Sequence, residues 1–332
     1  MCRYVLNRRR FLKNSSIFGT AAVASALSLE EKILLAAPNT ESTPAAEAVK
    51  GLPAGKIGNV TISRLICGGN LVGGYAHSRD LVYVSELLKA YFTEEKILET
   101  FYLCEENGVN TVVLYSGDTR HVDTFRILDR YWNEWGGRIQ WLAQINPTDN
   151  DLTTSVQKAA DNGAIGAFIL GNRADEWARS GKVDLIGKVV SFIKEKGMIA
   201  GVAGHEIQVP RRCEEAGVDP DFYMKTIHST NYWSTRRPEQ QKDVIDNYDV
   251  DNYWDKNPEE TIAYMKTVKK PWMAYKVLAA GAIRPEIGFQ HAFHNGADFL
   301  CVGMYDFQLR EDVIVAKNIL SGNVPRERPW MA

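Results

Sequence analysis

The stretch MIAGVAGHEI, residues 198–207, sets the interpretation of the whole chain. Its small and apolar residues predict a strand buried on both faces, as strands of a parallel sheet are. The strand then ends in two ionisable residues, His205 and Glu206. Such an ending is typical of a parallel barrel, where side chains at the carboxyl ends of the strands carry the chemistry.

Similar apolar runs recur along the chain, each followed by a helical stretch such as 94–108 or 183–197, and both of these end at glycine. The predicted strands are 64–70, 111–117, 139–146, 165–172, 198–206, 222–229, 272–281 and 299–307. Eight strand–helix units predict an α/β fold, a (β/α)8 TIM barrel. A doubly wound open sheet is the alternative. The glycine-rich segment 67–75 lacks the GxGxxG spacing that such a sheet usually carries after its first strand.

Composition limits the classes of partner. The chain has 332 residues, 45% of them hydrophobic and 24% charged, and a formal net charge of −2. This charge gives no reason to expect nucleic acid as a partner. No apolar run reaches the roughly 20 residues that a membrane-spanning helix needs, so we expect no stable membrane span.

The first residues predict export. The segment NRRRFLK, residues 7–13, precedes an Ala-rich, weakly hydrophobic stretch, as in a twin-arginine signal. We therefore expect a signal at 1–37, a flexible linker at 38–55, a barrel at 56–322 and a C-terminal tail at 323–332. The expected partner is the twin-arginine export machinery, and the expected location is the periplasm or outside the cell. A basic amphipathic arm is the alternative.

One connection is long. Residues 230–260 are rich in Tyr, Trp, Asp and Arg and follow the sixth predicted strand. Loops of this length in compact domains are usually lids or binding loops. The composition favours a polar, sugar-like small molecule as substrate, with Trp233 as a binding residue. A contact between subunits or a plain surface excursion is the alternative.

Several segments resemble the aldo/keto reductases. These are VTISRLICGGNLVGG (60–74), ENGVNTVVLYSG (106–117), the segment 192–233 and WMAYKVLAAGAI (272–283). The resemblance spans about residues 56–320 and implies a TIM barrel. It also implies a catalytic tetrad of Asp, Tyr, Lys and His around a nicotinamide cofactor.

The positions of the family's catalytic and cofactor-binding residues hold other residue types here. The resemblance places Val113, Gln144 and Gly171 where the family has its Asp, Lys and His, with only Tyr115 near the position of its Tyr. Its cofactor contacts fall on Ala203, Gly204, Lys225 and Lys276. We therefore expect NADPH to be less favoured than another chemistry.

Ionisable and amide side chains are expected at the top of the barrel. Side chains alternate between the two faces of a strand. If the positions that face inward in the aldo/keto reductases also face inward here, the interior holds Tyr115, Gln144, His205, Lys225 and Lys276. The rim is predicted to hold Asn70, Asp118, Asn172, Glu206, His228 and Asp306. From these we take Lys276, His205, Lys225 and Tyr115 as catalytic candidates. The substrate-binding candidates are Asn70, Gln144, Asn172, Asp118 and Trp233.

The lysines carry the strongest prediction. Lys276 lies in the apolar segment AYKVLAAG, where a charge must be paired or have a lowered pKa. Such a lysine can act as a general base or form a Schiff base, and Lys225 could share the task or hold an enolate. His205 is the other candidate base, although a histidine at a strand end is often merely hydrogen-bonded. Glu206 could instead cap the next helix or pair with Arg211 or Arg212.

A divalent metal is a further possibility. His205, Glu206 and His228, with Asp306 or Asp118, supply the nitrogen and oxygen ligands that zinc or manganese accept. No HExxH spacing supports such a site. Of the five cysteines, Cys67 and Cys301 are expected as buried free thiols, with disulfides as the alternative in an exported protein.

Three functions stay open. The first is a non-redox lyase, isomerase or epimerase acting next to a carbonyl of a carbohydrate-like substrate. The second is a nicotinamide-dependent oxidoreductase with a rearranged site. The third is a non-catalytic binding protein on the same fold.

Overall fold

Eight parallel strands close into a barrel in the computed structural model, which describes residues 51–78, 81, 83–117, 121–235 and 254–332. All of these belong to one compact unit, Ala48–Ala332. The barrel strands are β3 (Leu65–Gly68), β4 (Thr111–Tyr115), β5 (Gln140–Ile145), β6 (Gly166–Ile169), β7 (Ile199–Gly204), β8 (Phe222–Thr226), β9 (Trp272–Tyr275) and β10 (Phe299–Val302). The (β/α)8 prediction is confirmed, and the open sheet is excluded because β10 pairs with β3.

Helices follow the strands, as the apolar periodicity predicts. They are α1 (Tyr83–Tyr91), α2 (Glu94–Glu106), α3 (Thr124–Asn133), α4 (Thr154–Asp161), α5 (Gly171–Arg179), α6 (Val183–Glu195), α7 (Gln208–Glu215), α8 (Pro258–Met265), α9 (Pro285–His294) and α10 (Asp306–Ser321). A short 3₁₀ turn spans Ala279–Gly281. No helix in the described part of the chain is long and apolar enough to cross a membrane.

Two separate apolar clusters form because strand side chains alternate between the two faces of the barrel wall. On β8, Phe222 and Met224 belong to the cluster inside the barrel. Tyr223 and Ile227 belong to the cluster between the wall and the helices. This alternation fixes which polar residues reach the interior of the barrel.

A hairpin closes the amino-terminal end of the barrel. Its strands, β1 (Ala54–Ile57) and β2 (Val60–Ser63), pair antiparallel, and Ile57 and Ile62 pack inside the barrel. Ala54 pairs with Ser63, so the last two residues of the predicted linker belong to this hairpin.

The C-terminal residues are anchored at the same end through Asp298, which lies just before β10. Its Oδ2 accepts a hydrogen bond from Arg328 Nη1 at 2.6 Å, and its Oδ1 accepts one from the Met331 backbone at 2.9 Å. Asp298 and Arg328 are both buried. Breaking this pair would leave an unpaired buried charge, which is costly, so the Asp298–Arg328 contact holds the tail to the barrel.

Some predictions lie outside the described residues. These are the signal at 1–37, most of the linker, Asp118, and residues 236–253 of the long loop. Within the described part, Cys67, Cys104, Cys213 and Cys301 are all free thiols. Cys67 is a buried free thiol, as expected, whereas Cys301 is a free thiol that is only half-buried.

Candidate active site

His205 and Asp175 form a pair at the carboxyl end of the barrel strands, in which Asp175 is buried and the His205 side chain is 10% exposed. His205 follows the last residue of β7, and its Nδ1 lies 2.7 Å from Asp175 Oδ2. Asp175 lies on α5, the helix that leaves the neighbouring strand β6. Its Oδ1 also accepts the backbone N–H groups of His205 and Glu206, both at 3.0 Å. The carboxylate thus fixes both the ring and the backbone of His205.

Burial and neighbouring charges of both signs act on the pKa of this histidine. Burial lowers the pKa of His205, while the Asp175 carboxylate raises it and the lysines at 276 and 225 lower it. The net direction is down, so the ring is neutral at neutral pH. A neutral imidazole with one nitrogen held by a carboxylate is a suitable general base.

Tyr275 is the second side chain at this point. It is the last residue of β9 and packs with the inner cluster. Its ring centroid lies 5.4 Å from that of His205. A Cβ placed on Gly171 would lie 2.6 Å from His205 Cε1 and 2.7 Å from Tyr275 Oη. Glycine at 171 therefore makes room for both side chains.

Tyr115 and Gln144 line the same end of the barrel. They are register partners on β4 and β5 and are half-buried. Val113 and Leu142, two residues before them, pack in the interior, so both side chains have the inward phase that the sequence predicts.

Lys225 does not face the interior, and the prediction that it does is wrong. Phe222 and Met224 hold the inward positions of β8, and Lys225 is in register with Ala274, which packs in the outer cluster. The Lys225 side chain is 1% exposed. Its Nζ donates to the Thr226 carbonyl at 3.0 Å and to Thr226 Oγ1 at 2.9 Å. Burial lowers its pKa, against the effect of Asp255.

Lys276 also departs from the prediction of an apolar interior position. Tyr275 takes the inward place, and Lys276 follows the end of β9 with φ of 58° and is half-exposed. Its charge lowers the pKa of both His205 and His228. Lys276 is therefore a rim cation within electrostatic reach of the histidines.

His228, predicted at the rim, is instead buried behind β8. Its Nε2 accepts the Asp255 backbone N–H at 3.2 Å, and its Nδ1 lies 3.0 Å from the Ser229 carbonyl. Burial lowers its pKa. Asp255 Oδ1 accepts a hydrogen bond from Thr261 at 3.0 Å and lies 3.8 Å from Lys225 Nζ. These residues form a polar cluster in the layer between β8 and α8.

Glu206 points away from His205 and pairs with Arg179 Nη1 at 2.6 Å. Burial raises its pKa. The predicted partners are used elsewhere, since Arg211 pairs with Glu260 and Arg212 donates to the Ala178 carbonyl. Glu206 therefore lies next to the His205–Asp175 pair but is not part of it.

The predicted metal ligands are not brought together. His205 is held by Asp175, Glu206 by Arg179, and both ring nitrogens of His228 contact the backbone. Across the described ranges, no three His, Cys, Asp or Glu residues are arranged to hold a metal ion. His205, Glu206 and His228 therefore do not form a metal site within the described part of the chain.

The remaining predicted residues are dispersed. Asn70 is exposed and Trp233 is 86% exposed. Asn172 lies in the first turn of α5, and its buried Oδ1 has no hydrogen-bond partner among the described residues. Asp306 begins α10 and binds Tyr91 and Lys96.

Sequence reasoning missed Asp175 and Tyr275. Asp175 lies inside a helix, where a carboxylate looks like a surface residue. Tyr275 immediately precedes Lys276, and a phase error of one residue hides it. Met273, two residues earlier, is apolar and faces the interior. Alternation from Met273 would have predicted that Tyr275 also faces inward.

Comparison with known proteins supports the fold alone. No family model and no curated protein sequence matches this chain. Two structures of a candidate aldo-keto reductase from Pseudomonas aeruginosa align with TM-scores of 0.51 and 0.53, at 15% identity, over 81% of this chain and 94% of that one. A truncated 3-deoxy-D-arabino-heptulosonate 7-phosphate synthase from Thermotoga maritima aligns at 12% identity over 81% and 92% of the two chains, with a TM-score of 0.48, too low to argue from.

Proposed function

We propose that this chain is an enzyme that removes a proton next to a carbonyl group of a carbohydrate-like substrate, with His205 as the general base. The reaction class is elimination, isomerisation or epimerisation. The observation that carries the proposal is the His205–Asp175 pair, with an Nδ1–Oδ2 distance of 2.7 Å. It lies beside Tyr275 at the carboxyl end of the barrel strands.

Each group has a defined role. The Asp175 carboxylate accepts a hydrogen bond from Nδ1–H of His205, which leaves Nε2 as the basic nitrogen of the ring. Nε2 takes the proton from the substrate carbon, and the C–H electron pair forms an enolate. Asp175 stabilises the resulting imidazolium, and the Tyr275 hydroxyl donates a hydrogen bond to the enolate oxygen. In isomerisation or epimerisation the imidazolium then returns the proton to carbon. In elimination the enolate electron pair forms the C=C bond, the bond to the leaving group on the next carbon breaks, and the imidazolium gives its proton to the departing group.

Lys276 contributes charge in this proposal. Its half-exposed rim position and its effect on the pKa of His205 suit a cation that attracts an electron-rich substrate oxygen. A non-glycine residue at a φ of 58° is strained, and such strain is often found at functional sites. Lys225 has no direct contact with substrate here because it faces the helix layer.

A nicotinamide cofactor is less well supported. The resemblance assigns its carboxamide contacts to Ala203 and Gly204. A Cβ at Gly204 would lie 2.7 Å from Val209 Cβ, so a side chain does not fit there, and Ala203 has no polar group. These residues do not fit that mode of binding, and no step of the proposed reaction uses it. Saturable quenching of tryptophan fluorescence by NADPH would reverse this conclusion.

We also propose export by the twin-arginine pathway to the periplasm, on the basis of the segment NRRRFLK. Replacing Arg8 and Arg9 with Lys should leave the protein in the cytoplasmic fraction. Unchanged distribution between fractions would reject this part of the proposal.

The test of the reaction is hydrogen exchange at carbon. The full chain is incubated in D2O with a panel of aldoses, ketoses and keto-sugars, and NMR follows loss of the proton next to the carbonyl. His205→Asn should slow exchange by about 100-fold or more. His294→Asn is the matched control, since His294 is the last residue of α9 and borders a pocket that is also lined by tail residues 325–327, away from His205. Full exchange by His205→Asn would overturn the proposal.

A further inference from the structure

The backbone of His205 is held from a second side, by Thr226. Thr226 is the last residue of β8 and is fully buried. Its Oγ1 donates a hydrogen bond to the His205 carbonyl at 3.1 Å. Asp175 holds the N–H of the same residue at 3.0 Å. His205 is therefore clamped through both of its backbone polar groups.

Lys225 determines the direction of the Thr226 hydroxyl. Its Nζ lies 2.9 Å from Thr226 Oγ1, and an ammonium group can only donate. The Thr226 oxygen must then accept from Lys225, and its own proton is directed to the His205 carbonyl. Consecutive hydrogen bonds of this kind polarise and strengthen one another in a buried setting.

The ammonium group of Lys225 is kept in place by the polar cluster behind β8. Asp255 Oδ1 lies 3.8 Å from Nζ and accepts a hydrogen bond from Thr261. The Asp255 backbone donates to His228 Nε2 at 3.2 Å. A chain of contacts therefore runs from Asp255 through Lys225 and Thr226 to His205.

We propose that Lys225 and Thr226 are positioning residues for His205, acting through its backbone carbonyl rather than on the substrate. The inference rests on the proposed function for its effect on turnover, but the geometry of His205 can be measured without substrate. It gives the buried Lys225 a role other than the direct catalytic one that the sequence predicts.

Thr226→Val tests the clamp because it removes the hydroxyl and keeps the shape. We expect about tenfold slower exchange of substrate protons at saturating substrate, with KM unchanged, since a small displacement of a catalytic group lowers the rate of the chemical step. Thr226→Ser should restore the rate to within about twofold, since the serine hydroxyl makes the same bond.

The matched control is Thr100→Val. Thr100 is equally buried, and its hydroxyl also donates to a backbone carbonyl, that of Lys96 at 2.7 Å on α2. This variant should lose comparable stability with no change in exchange rate. Equal losses of activity in Thr226→Val and Thr100→Val would reduce Thr226 to a general structural role and overturn the inference.

A readout on the free enzyme separates this inference from the proposed function. In ¹⁵N NMR, the wild-type His205 should be held as one tautomer with its proton on Nδ1, and Thr226→Val should broaden or mix the ring signals. Unchanged His205 signals in Thr226→Val contradict the positioning role. Rapid exchange by His205→Asn contradicts the proposed function instead.

The double variant Lys225→Met with Asp255→Asn tests the lysine without leaving a buried charge unpaired. Lys225 lowers the pKa of His205, so its loss should raise that pKa in an NMR titration, together with the mixing of tautomers seen in Thr226→Val. If the pKa rises but the tautomer and the rate are unchanged, Lys225 acts only through its charge, and its positioning role is wrong.

Discussion

Replacing Gly171 with alanine adds one methyl group at the point where His205 and Tyr275 meet. The new Cβ would lie 2.6 Å from His205 Cε1 and 2.7 Å from Tyr275 Oη. Both distances are shorter than carbon contacts allow, so one of the two rings must move. Overpacking of this kind costs about 1–3 kcal/mol. Alanine in a helix gains at most about 1 kcal/mol over glycine.

Gly187→Ala on α6 is the matched control. A Cβ there meets Val218 Cγ2 at 3.6 Å, an ordinary contact. Urea denaturation should find Gly187→Ala more stable by about 0.5–1 kcal/mol and Gly171→Ala less stable by about 1–2 kcal/mol. Exchange of substrate protons should fall by about 100-fold in Gly171→Ala and stay unchanged in Gly187→Ala. Equal stabilisation of both variants with full activity would refute the placement of the two rings.

Three other changes have defined outcomes. Asp175→Asn removes the carboxylate that raises the pKa of His205, so an NMR titration should find that pKa lower than in the wild type. Arg328→Met leaves the buried carboxylate of Asp298 without its closest cation, and denaturation should measure a loss of about 3–5 kcal/mol. Burial raises the pKa of Asp312 from 3.8 to about 7. The folded state therefore holds a proton that the unfolded state releases, and stability should fall as pH rises from about 4 to 7. Asp312→Asn should lose this pH dependence, and an unchanged curve would exclude Asp312 as its source.

The fold could be predicted because strand burial and helix periodicity are local properties. The apolar runs at 111–117 and 199–204, for example, are explained by packing on both faces of the barrel wall. His205 could be predicted because it directly ends such a strand. Its partner Asp175 could not, since a position inside α5 has no sequence signal that relates it to β7.

The lysine errors have a physical cause. Neighbouring residues of a strand face opposite sides of the barrel wall. The inward positions are inferred by alignment with a distant family, and an alignment error of one residue exchanges inward-facing and outward-facing residues. Met224 and Tyr275 take the inward positions that the sequence predicts for Lys225 and Lys276. The apolar partners of Met224 inside the barrel fix this phase, and they come from several other strands.

In the proposed reaction His205, tuned by Asp175, accepts the substrate proton. The most direct test of this role compares two pH titrations in wild type and Asp175→Asn. One follows the His205 Cε1 proton by NMR, and the other follows the rate of substrate proton exchange. We predict that the rate falls as pH falls through the His205 pKa, and that both midpoints move to lower pH together in the variant. A rate profile that stays in place while the His205 pKa moves would exclude His205 as the general base.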